Sequence, residues 1–173
     1  VEASGKETVD LRTYGAEALQ FIGMLDGIRE RVAVTDGAGK ALSLEKGLTA
    51  AITRMIACCK RGNQLMFIGN GGSAAIASHQ AVDYWKNGGL KAIAFNAASL
   101  LTCIGNDYGY EKVFAEPVRQ FAKPGDLLVA ISSSGKSPNI LQAVEAAREA
   151  GCEVISFSGF SETNPLRRLG QVN

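Results

Sequence analysis

The chain has 173 residues, 46% of them hydrophobic, which suits one domain with an ordinary apolar core. Eighteen basic residues oppose 17 acidic ones, so the net charge of +1 argues against a nucleic-acid groove as the main activity. No apolar run approaches the roughly 20 residues of a membrane span, and no signal segment opens the chain. We therefore predict a cytoplasmic protein with no nucleic-acid or membrane partner. The four cysteines form no CxxC pair, which indicates reduced thiols.

Two helices are predicted at the start of the chain. Apolar spacing predicts a helix from Val9 to about Val34, then a turn at 35–39. A second helix is predicted from about Leu42 to Lys60, with Ser43 near its start and one apolar stripe formed by Leu48, Ile52, Met55 and Ile56. We interpret residues 1–40 as a helical interface segment between subunits, because the apolar stripe over residues 9–34 is longer than one small sheet needs. The alternative is that these helices only cover one face of the sheet.

After Gly62 the pattern changes to short strands alternating with helices. Apolar runs predict strands at 64–68, 91–95, 126–131 and 153–157, and helices at 73–86, 98–104, 110–121 and 138–150. Strands that are apolar throughout, joined by helices, are typical of a doubly wound parallel α/β sheet. We therefore predict one domain over 1–173, with residues 41–173 as its α/β core.

The last ten residues are predicted to begin a further part of the fold. Asn164-Pro165 indicates a short helix, and residues 170–173 have the pattern of the first residues of another strand. We expect that a fifth strand and a closing helix belong to this domain and are missing from this sequence.

Two polar loops each follow a predicted strand and precede a predicted helix. We call residues 69–73, Gly-Asn-Gly-Gly-Ser, the glycine loop, and residues 132–137, Ser-Ser-Ser-Gly-Lys-Ser, the serine loop. A loop between a parallel strand and a helix gathers backbone N–H groups at the positive end of the helix dipole, and serine adds hydroxyl donors. The two loops therefore predict a pocket for a small anion, most simply a phosphate ester. The substrate-binding candidates are Asn70, Gly71, Gly72, Ser73, Ser132, Ser133, Ser134 and Ser137.

Other readings of these loops are weaker. Gly135-Lys136-Ser137 resembles the end of a nucleoside-triphosphate loop, but Ala130 stands where that motif needs its first glycine. The glycine loop also fits the permissive dinucleotide-binding pattern, yet the acidic residue expected about 20 positions later is missing after the second strand. A third reading is tight packing of strand against helix with no ligand.

The only histidine, His79, lies on the helix that the glycine loop opens. Asp83 follows four residues later, so both side chains leave the same helix face. Such a pair can form half of a metal site or supply an acid and a base, whereas the structural alternative is a helix-stabilising hydrogen bond or a core histidine. Asn106 and Asp107 are predicted in a polar turn, where they are further candidates for substrate binding.

Taken together, the glycine loop, His79, the run from Ile104 to Gly109 and the serine loop resemble the sugar isomerase (SIS) domain family. Within it the chain is similar to the sedoheptulose 7-phosphate isomerases, also called phosphoheptose isomerases, from about Ala41 onward. The resemblance implies a flavodoxin-like three-layer sandwich and a cytoplasmic homotetramer or homodimer. It also implies an intramolecular oxidoreductase that converts a ketoheptose 7-phosphate to an aldoheptose 7-phosphate for lipopolysaccharide or capsule.

The resemblance also implies residue roles. Ser132, Ser133, Ser134 and Ser137 would hold the sugar phosphate, while Asn70 and Ser73 would bind the rest of the substrate. His79 would be a ligand of a catalytic zinc, and Asp83 would be both a zinc ligand and the base that forms the enediol.

The chain departs from the family at several positions. Asp83 is one methylene shorter than the family's glutamate, and Ala97 stands where the family often has an aspartate. The remaining metal ligands and a second catalytic histidine would lie on a helix beyond Asn173. An alternative function is therefore a non-catalytic SIS protein that binds a sugar phosphate or a protein partner, as a relative associated with the replication initiator does.

Overall fold

The computed structural model describes residues 19–24 and 27–173. The chain divides into two compact units, Val1–Ala33 and Val34–Asn173. In the first unit, residues 19–24 are helical and a short helix, α1, covers Ile28–Arg31. The Arg31 guanidinium donates a hydrogen bond to the carbonyl oxygen of Met24 at 3.0 Å. The part of the predicted first helix before residue 19 lies outside the described residues.

The predicted end of that first helix is wrong. Val34–Thr35 forms strand β1, which pairs antiparallel with strand β2, Ala41–Leu42. The carboxylate of Asp36 closes the hairpin between them, because its Oδ1 accepts the backbone N–H of Ala38 and of Lys40 at 2.9 Å each. This local pairing ends the helical conformation that the apolar spacing alone suggested.

Helix α2, Leu44–Lys60, begins where the sequence predicted a start. The Ser43 hydroxyl accepts the Lys46 N–H at 3.3 Å and so caps the first turn. The predicted apolar stripe is present, but only Met55 is buried, whereas Leu48, Ile52 and Ile56 are exposed. Between α2 and the next helix lies an apolar groove of about 380 Å³, whose floor includes Phe67 and Val129 of the sheet.

Four parallel strands form the main sheet, close to their predicted positions. They are β3 (Leu65–Gly69), β4 (Ala92–Ala94), β5 (Leu127–Ser132) and β6 (Glu153–Ser158). Their order in the sheet is β4-β3-β5-β6, with every neighbouring pair parallel. The predicted doubly wound α/β fold is therefore confirmed, with the strand order of the flavodoxin type.

Helices cover both faces of the sheet. They are α3 (Gly72–Lys86), α4 (Ala98–Asp107), α5 (Ala115–Phe121) and α6 (Pro138–Glu149). Alternate strand residues point to opposite faces. Met66 and Leu128 pack in one core with residues of α5 and α6, while Leu65 and Leu127 pack in the other with residues of α2 and α3. Burial on both faces explains why the strands read as continuous apolar runs.

The single helix predicted at 110–121 is divided in two. Tyr110–Lys112 forms a 3-10 turn, and α5 begins only at Ala115. Pro117 lacks an N–H group and is tolerated only in the first turn of a helix, so α5 begins close before it. Helix α4 is longer than predicted and includes Asn106 and Asp107 in its last turn, not in a loop.

A buried carboxylate fixes the end of the sheet at which the strands begin, opposite the two polar loops. Asp126 is 2% exposed and accepts the backbone N–H of Gln64 at 3.0 Å, the backbone N–H of Lys123 at 2.9 Å and the side-chain amide of Asn63 at 2.9 Å. These bonds tie the starts of β3 and β5 together. They satisfy a charge that would otherwise be costly to bury.

The predicted short helix near the end of the chain is confirmed as a 3-10 turn at Pro165–Arg168, with Asn164 as its cap. Val172 then forms a parallel bridge with Ile155 and an antiparallel bridge with Asp36. Residues 170–173 therefore make strand-like contacts, as predicted.

The cysteines are all free, as predicted, and burial raises the pKa of Cys58 to about 12. Cys103 is exposed. In the described part of the chain, no helix is both long enough and apolar enough to cross a membrane.

Candidate anion and sugar site

The strand order places both polar loops beside each other. The chain runs from β3 outward to β4, returns to β5 on the other side of β3, and then runs outward to β6. Ligands of such sheets bind beyond the carboxyl ends of the strands where the order reverses. Gly69 at the end of β3 pairs with Ile131 at the end of β5, so the glycine and serine loops leave this point from adjacent strands.

The glycine loop turns directly into helix α3. A Cβ at Gly69 would lie 2.5 Å from the backbone oxygen of Ser73, so only glycine allows the helix to approach the strand this closely. Gly71 has a φ of +54° and occupies the N-cap position of α3. Within the described residues, the N–H groups of Gly71 and Gly72 have no hydrogen-bond acceptor, and both residues are exposed. They are therefore available to an anion at the helix N-terminus.

The serine loop is held in shape by its own hydroxyl groups. The Gly135 N–H donates to both the carbonyl oxygen and Oγ of Ser132, at 3.0 and 3.2 Å, and the Lys136 N–H donates to Ser134 Oγ at 3.2 Å. Ser132 Oγ and Ser137 Oγ are 3.4 Å apart. Ser137 occupies the N-cap position of α6 but makes no side-chain capping bond, so apart from the contact with Ser132 its hydroxyl can still bond a ligand at that helix end.

A buried asparagine supports the serine loop, and sequence reasoning recognised it only as a helix start. Asn164 is 1% exposed, and its side-chain amide donates to Ser158 Oγ at 2.9 Å and to the Ser161 carbonyl oxygen at 2.7 Å. Its Oδ1 would be overlapped by any Cβ at Gly135, where φ is +61°. The loop that follows β6 therefore fixes the shape of the serine loop.

A second asparagine links the two polar loops. Asn139 lies in the first turn of α6, is 2% exposed, and exchanges two hydrogen bonds with the side chain of Asn70. The Tyr110 hydroxyl also donates to Asn70 Oδ1, at 3.3 Å. Sequence reasoning singled out neither Asn139 nor Tyr110; the position of Asn139 beside the serine loop was the one available signal.

His79 and Asp83 form the predicted pair on α3. His79 Nε2 lies 3.2 Å from Asp83 Oδ2, and the side chains are 73% and 39% exposed, so His79 is not a core histidine. Asp83 Oδ1 also accepts the side-chain amide of Asn87 at 3.2 Å. A helix rises about 1.5 Å per residue, so His79 lies about 10 Å along the axis from Gly72. No hydrogen bond in the described part of the chain joins the pair to either loop.

Asn106 and Asp107 are exposed at the end of α4. The side-chain amide of Asn106 donates to Asp107 Oδ1 at 2.8 Å, and Cys103 Sγ lies 3.6 Å from Asp107 Oδ2. Neither side chain is hydrogen-bonded to the glycine or serine loop in residues 27–173. The structure therefore joins Asn70 to the first turn of α6, directly after the serine loop, but leaves Asn106 and Asp107 apart.

The donor set of the histidine pair fits part of a zinc site. Imidazole nitrogen and carboxylate oxygen are both ligands that zinc takes. A complete site needs at least three protein ligands, and the described residues contain no group of three His, Cys, Asp or Glu side chains placed to hold a metal. His79 and Asp83 can therefore supply two ligands of such a site.

The four-stranded parallel sheet and the two polar loops at its carboxyl end define a doubly wound α/β domain, and the sequence places the chain in a known family. The sequence pattern of the SIS domain family matches residues 39–159, so the chain belongs to that family. Its similar relatives are phosphoheptose isomerases. That of Trichlorobacter lovleyi is 44% identical over 126 residues, which cover 67% of this chain and 64% of the relative. That of Aliarcobacter butzleri is 39% identical over 139 residues, which cover 76% of this chain and 74% of the relative.

Solved structures agree with this placement. The phosphoheptose isomerase of Neisseria gonorrhoeae superposes with a TM-score of 0.78 at 32% identity, covering 93% of this chain and 81% of that one. The chain spans 64%, 57% and 55% of three curated relatives that it matches.

Replacement of Gly135 by alanine tests the geometry of the serine loop. We expect Gly135→Ala to lower the free energy of unfolding by more than about 2 kcal/mol, because the methyl group meets Asn164 in a backbone conformation that already disfavours alanine. Gly62→Ala is the matched control: Gly62 has a φ of +83° but open space around it, so only the backbone cost of about 1 kcal/mol applies. Urea unfolding measures both, and equal losses would contradict the close packing of Asn164 against Gly135.

Proposed function

We propose that the protein is an aldose–ketose isomerase of a phosphorylated sugar. The proposed reaction converts sedoheptulose 7-phosphate to D-glycero-D-manno-heptose 7-phosphate through an enediol. The observation that carries the proposal is the meeting of two anion-binding loops at the point where the strand order reverses, in a chain whose relatives are phosphoheptose isomerases. The serine loop would bind the phosphate group through its hydroxyls and the N-terminus of α6.

The glycine loop would bind the sugar. Asn70 is hydrogen-bonded to Asn139 in the first turn of α6, and the free N–H groups of Gly71 and Gly72 follow Asn70 in the glycine loop. A sugar attached to the bound phosphate would extend toward these groups. Isomerisation moves a proton between adjacent carbons, and a carboxylate is a suitable base for this transfer. We assign that role to Asp83, whose Oδ2 faces His79 and whose side chain is 39% exposed.

Zinc is part of the same proposal. His79 and Asp83 would supply two of its ligands, and the others would come from outside the described residues. When bound, zinc would act as a Lewis acid toward the sugar oxygen that becomes negatively charged.

Turnover of sedoheptulose 7-phosphate in the presence of zinc tests the proposed reaction. We expect Asp83→Asn to reduce kcat at least about 100-fold, because the amide cannot accept the proton. Asp83→Glu should retain activity, since it restores the longer carboxylate of the family. Glu149→Gln, an exposed change at the far end of α6 from the serine loop, is the matched control and should leave kcat unchanged.

Two results would contradict the proposed reaction. One is a wild-type protein that binds the sugar phosphate without converting it, which would favour the non-catalytic SIS alternative. The other is an Asp83→Asn variant with wild-type turnover, which would remove Asp83 as the base.

We also propose that the protein is a homotetramer or homodimer assembled through its N-terminal segment. Large apolar side chains are exposed along that segment, at Leu19, Phe21, Ile22, Met24, Ile28 and Val32. A cluster of large exposed apolar side chains is typical of a protein–protein interface. The cytoplasmic location and a role in lipopolysaccharide or capsule biosynthesis belong to this proposal and rest on the family resemblance.

Light scattering tests the assembly. We expect the wild-type protein to have the mass of a dimer or tetramer and Phe21→Asp to shift it toward the monomer, because the charge cannot be buried in an apolar interface. Phe160→Asp is the matched control, since Phe160 is 90% exposed outside the N-terminal unit. A monomeric wild-type protein would contradict the proposed assembly.

A further inference from the structure

The link between the two polar loops is a closed pair of side-chain amides. Asn70 Nδ2 donates to Asn139 Oδ1 at 2.9 Å, and Asn139 Nδ2 donates back to Asn70 Oδ1 at 2.8 Å. The two residues are 69 positions apart in sequence, one in the glycine loop and one in the first turn of α6. Because both bonds must form together, the pair restricts both the position and the plane of each amide.

The side chain of Asn70 has one hydrogen-bonding group without a partner among the described residues. A side-chain amide has two donor hydrogens and two acceptor lone pairs. Both lone pairs of Asn70 Oδ1 are used, one by Asn139 and one by the Tyr110 hydroxyl at 3.3 Å. One hydrogen of Nδ2 is used by Asn139, which leaves one N–H. Asn70 therefore keeps one free hydrogen-bond donor and no free acceptor.

The burial of Asn139 gives the pair its rigidity. Asn139 is 2% exposed, whereas Asn70 is only partly buried. A buried amide without a partner is costly, so Asn139 keeps its contacts with Asn70. Its side-chain bonds go to Asn70 across the site and not to the backbone of its own helix.

We propose that Asn139 is a positioning residue that holds the side chain of Asn70 with its free N–H directed at an oxygen of the bound sugar. Tyr110 assists by occupying the second lone pair of Asn70 Oδ1. The inference rests on the proposed function, because it assumes that a sugar phosphate binds across the two loops. In this proposal, Asn139 strengthens binding of the sugar part of the ligand by positioning Asn70, and it does not affect binding of the phosphate by the serine loop.

Calorimetric binding of two ligands in metal-free buffer tests this separation without requiring turnover. The probes are sedoheptulose 7-phosphate and inorganic phosphate. We expect Asn139→Ala to weaken binding of the sugar phosphate about tenfold and of inorganic phosphate less than about twofold. Equal weakening for both ligands would overturn the proposal, because it would mean that Asn139 only supports the serine loop.

A double-mutant cycle shows whether Asn139 acts through Asn70. In an Asn70→Ala background, Asn139→Ala should cause no further loss of sugar-phosphate affinity, since the group that it positions is gone. Independent, additive losses would overturn the proposal. Tyr110→Phe removes one hydrogen bond and no packing, and we expect a loss of about two- to threefold that is confined to the sugar phosphate.

Folding and the proposed function are checked separately. Thermal unfolding verifies that each variant is folded, and Asn139→Leu, which fills a similar volume without hydrogen bonds, replaces Asn139→Ala if the latter unfolds. A folded wild-type protein that binds inorganic phosphate but gains nothing from the sugar would overturn this inference alone. A folded wild-type protein that binds neither ligand would overturn the proposed function and this inference with it.

Discussion

The reversal of strand order between β3 and β5 is the constraint on which the site depends. The two loops are 63 residues apart in sequence, counted from Gly69 to Ser132. They become neighbours because the strands that precede them are adjacent and parallel, so both loops leave the carboxyl end of the sheet. At the opposite end of the sheet, the buried carboxylate of Asp126 holds the starts of the same two strands together. The sheet therefore defines the distance between the loops before any side chain of the site contributes.

Buried amide groups then convert this placement into a defined shape. Asn164 packs beneath Gly135 and sets the path of the serine loop, while Asn139 joins that loop to Asn70. Both asparagines are almost completely buried, so their hydrogen bonds are made in surroundings where an unpaired amide would be costly. The free N–H groups of Gly71 and Gly72, and the serine hydroxyls before α6, are thus held by a rigid support. This preorganisation is what a site for a small, highly charged ligand requires.

The sequence was most informative where local pattern and tertiary packing agree. The strands could be predicted because both of their faces are buried, which makes each strand a continuous apolar run. The two loops could be predicted because their glycines and serines directly follow those strands. The hairpin at Val34 could not be predicted from the sequence, because it depends on the pairing of Val34 with Leu42 and on the turn that Asp36 closes. The Asn139 contact was equally invisible, because nothing in the sequence indicates which of its neighbours a buried amide will meet. The pairing of His79 with Asp83, and its place about two turns along α3, both followed from helical spacing. That no hydrogen bond of the described residues joins the pair to the loops could not be predicted.

We propose that the glycine and serine loops form one ligand site. The most direct test is an NMR titration of the backbone amides with sedoheptulose 7-phosphate. We expect the amide signals of Gly71 and Gly72 and those of Ser133 and Ser134 to shift together, with one common dissociation constant, because one molecule touches both loops. Shifts confined to the serine loop, or two different dissociation constants, would contradict it.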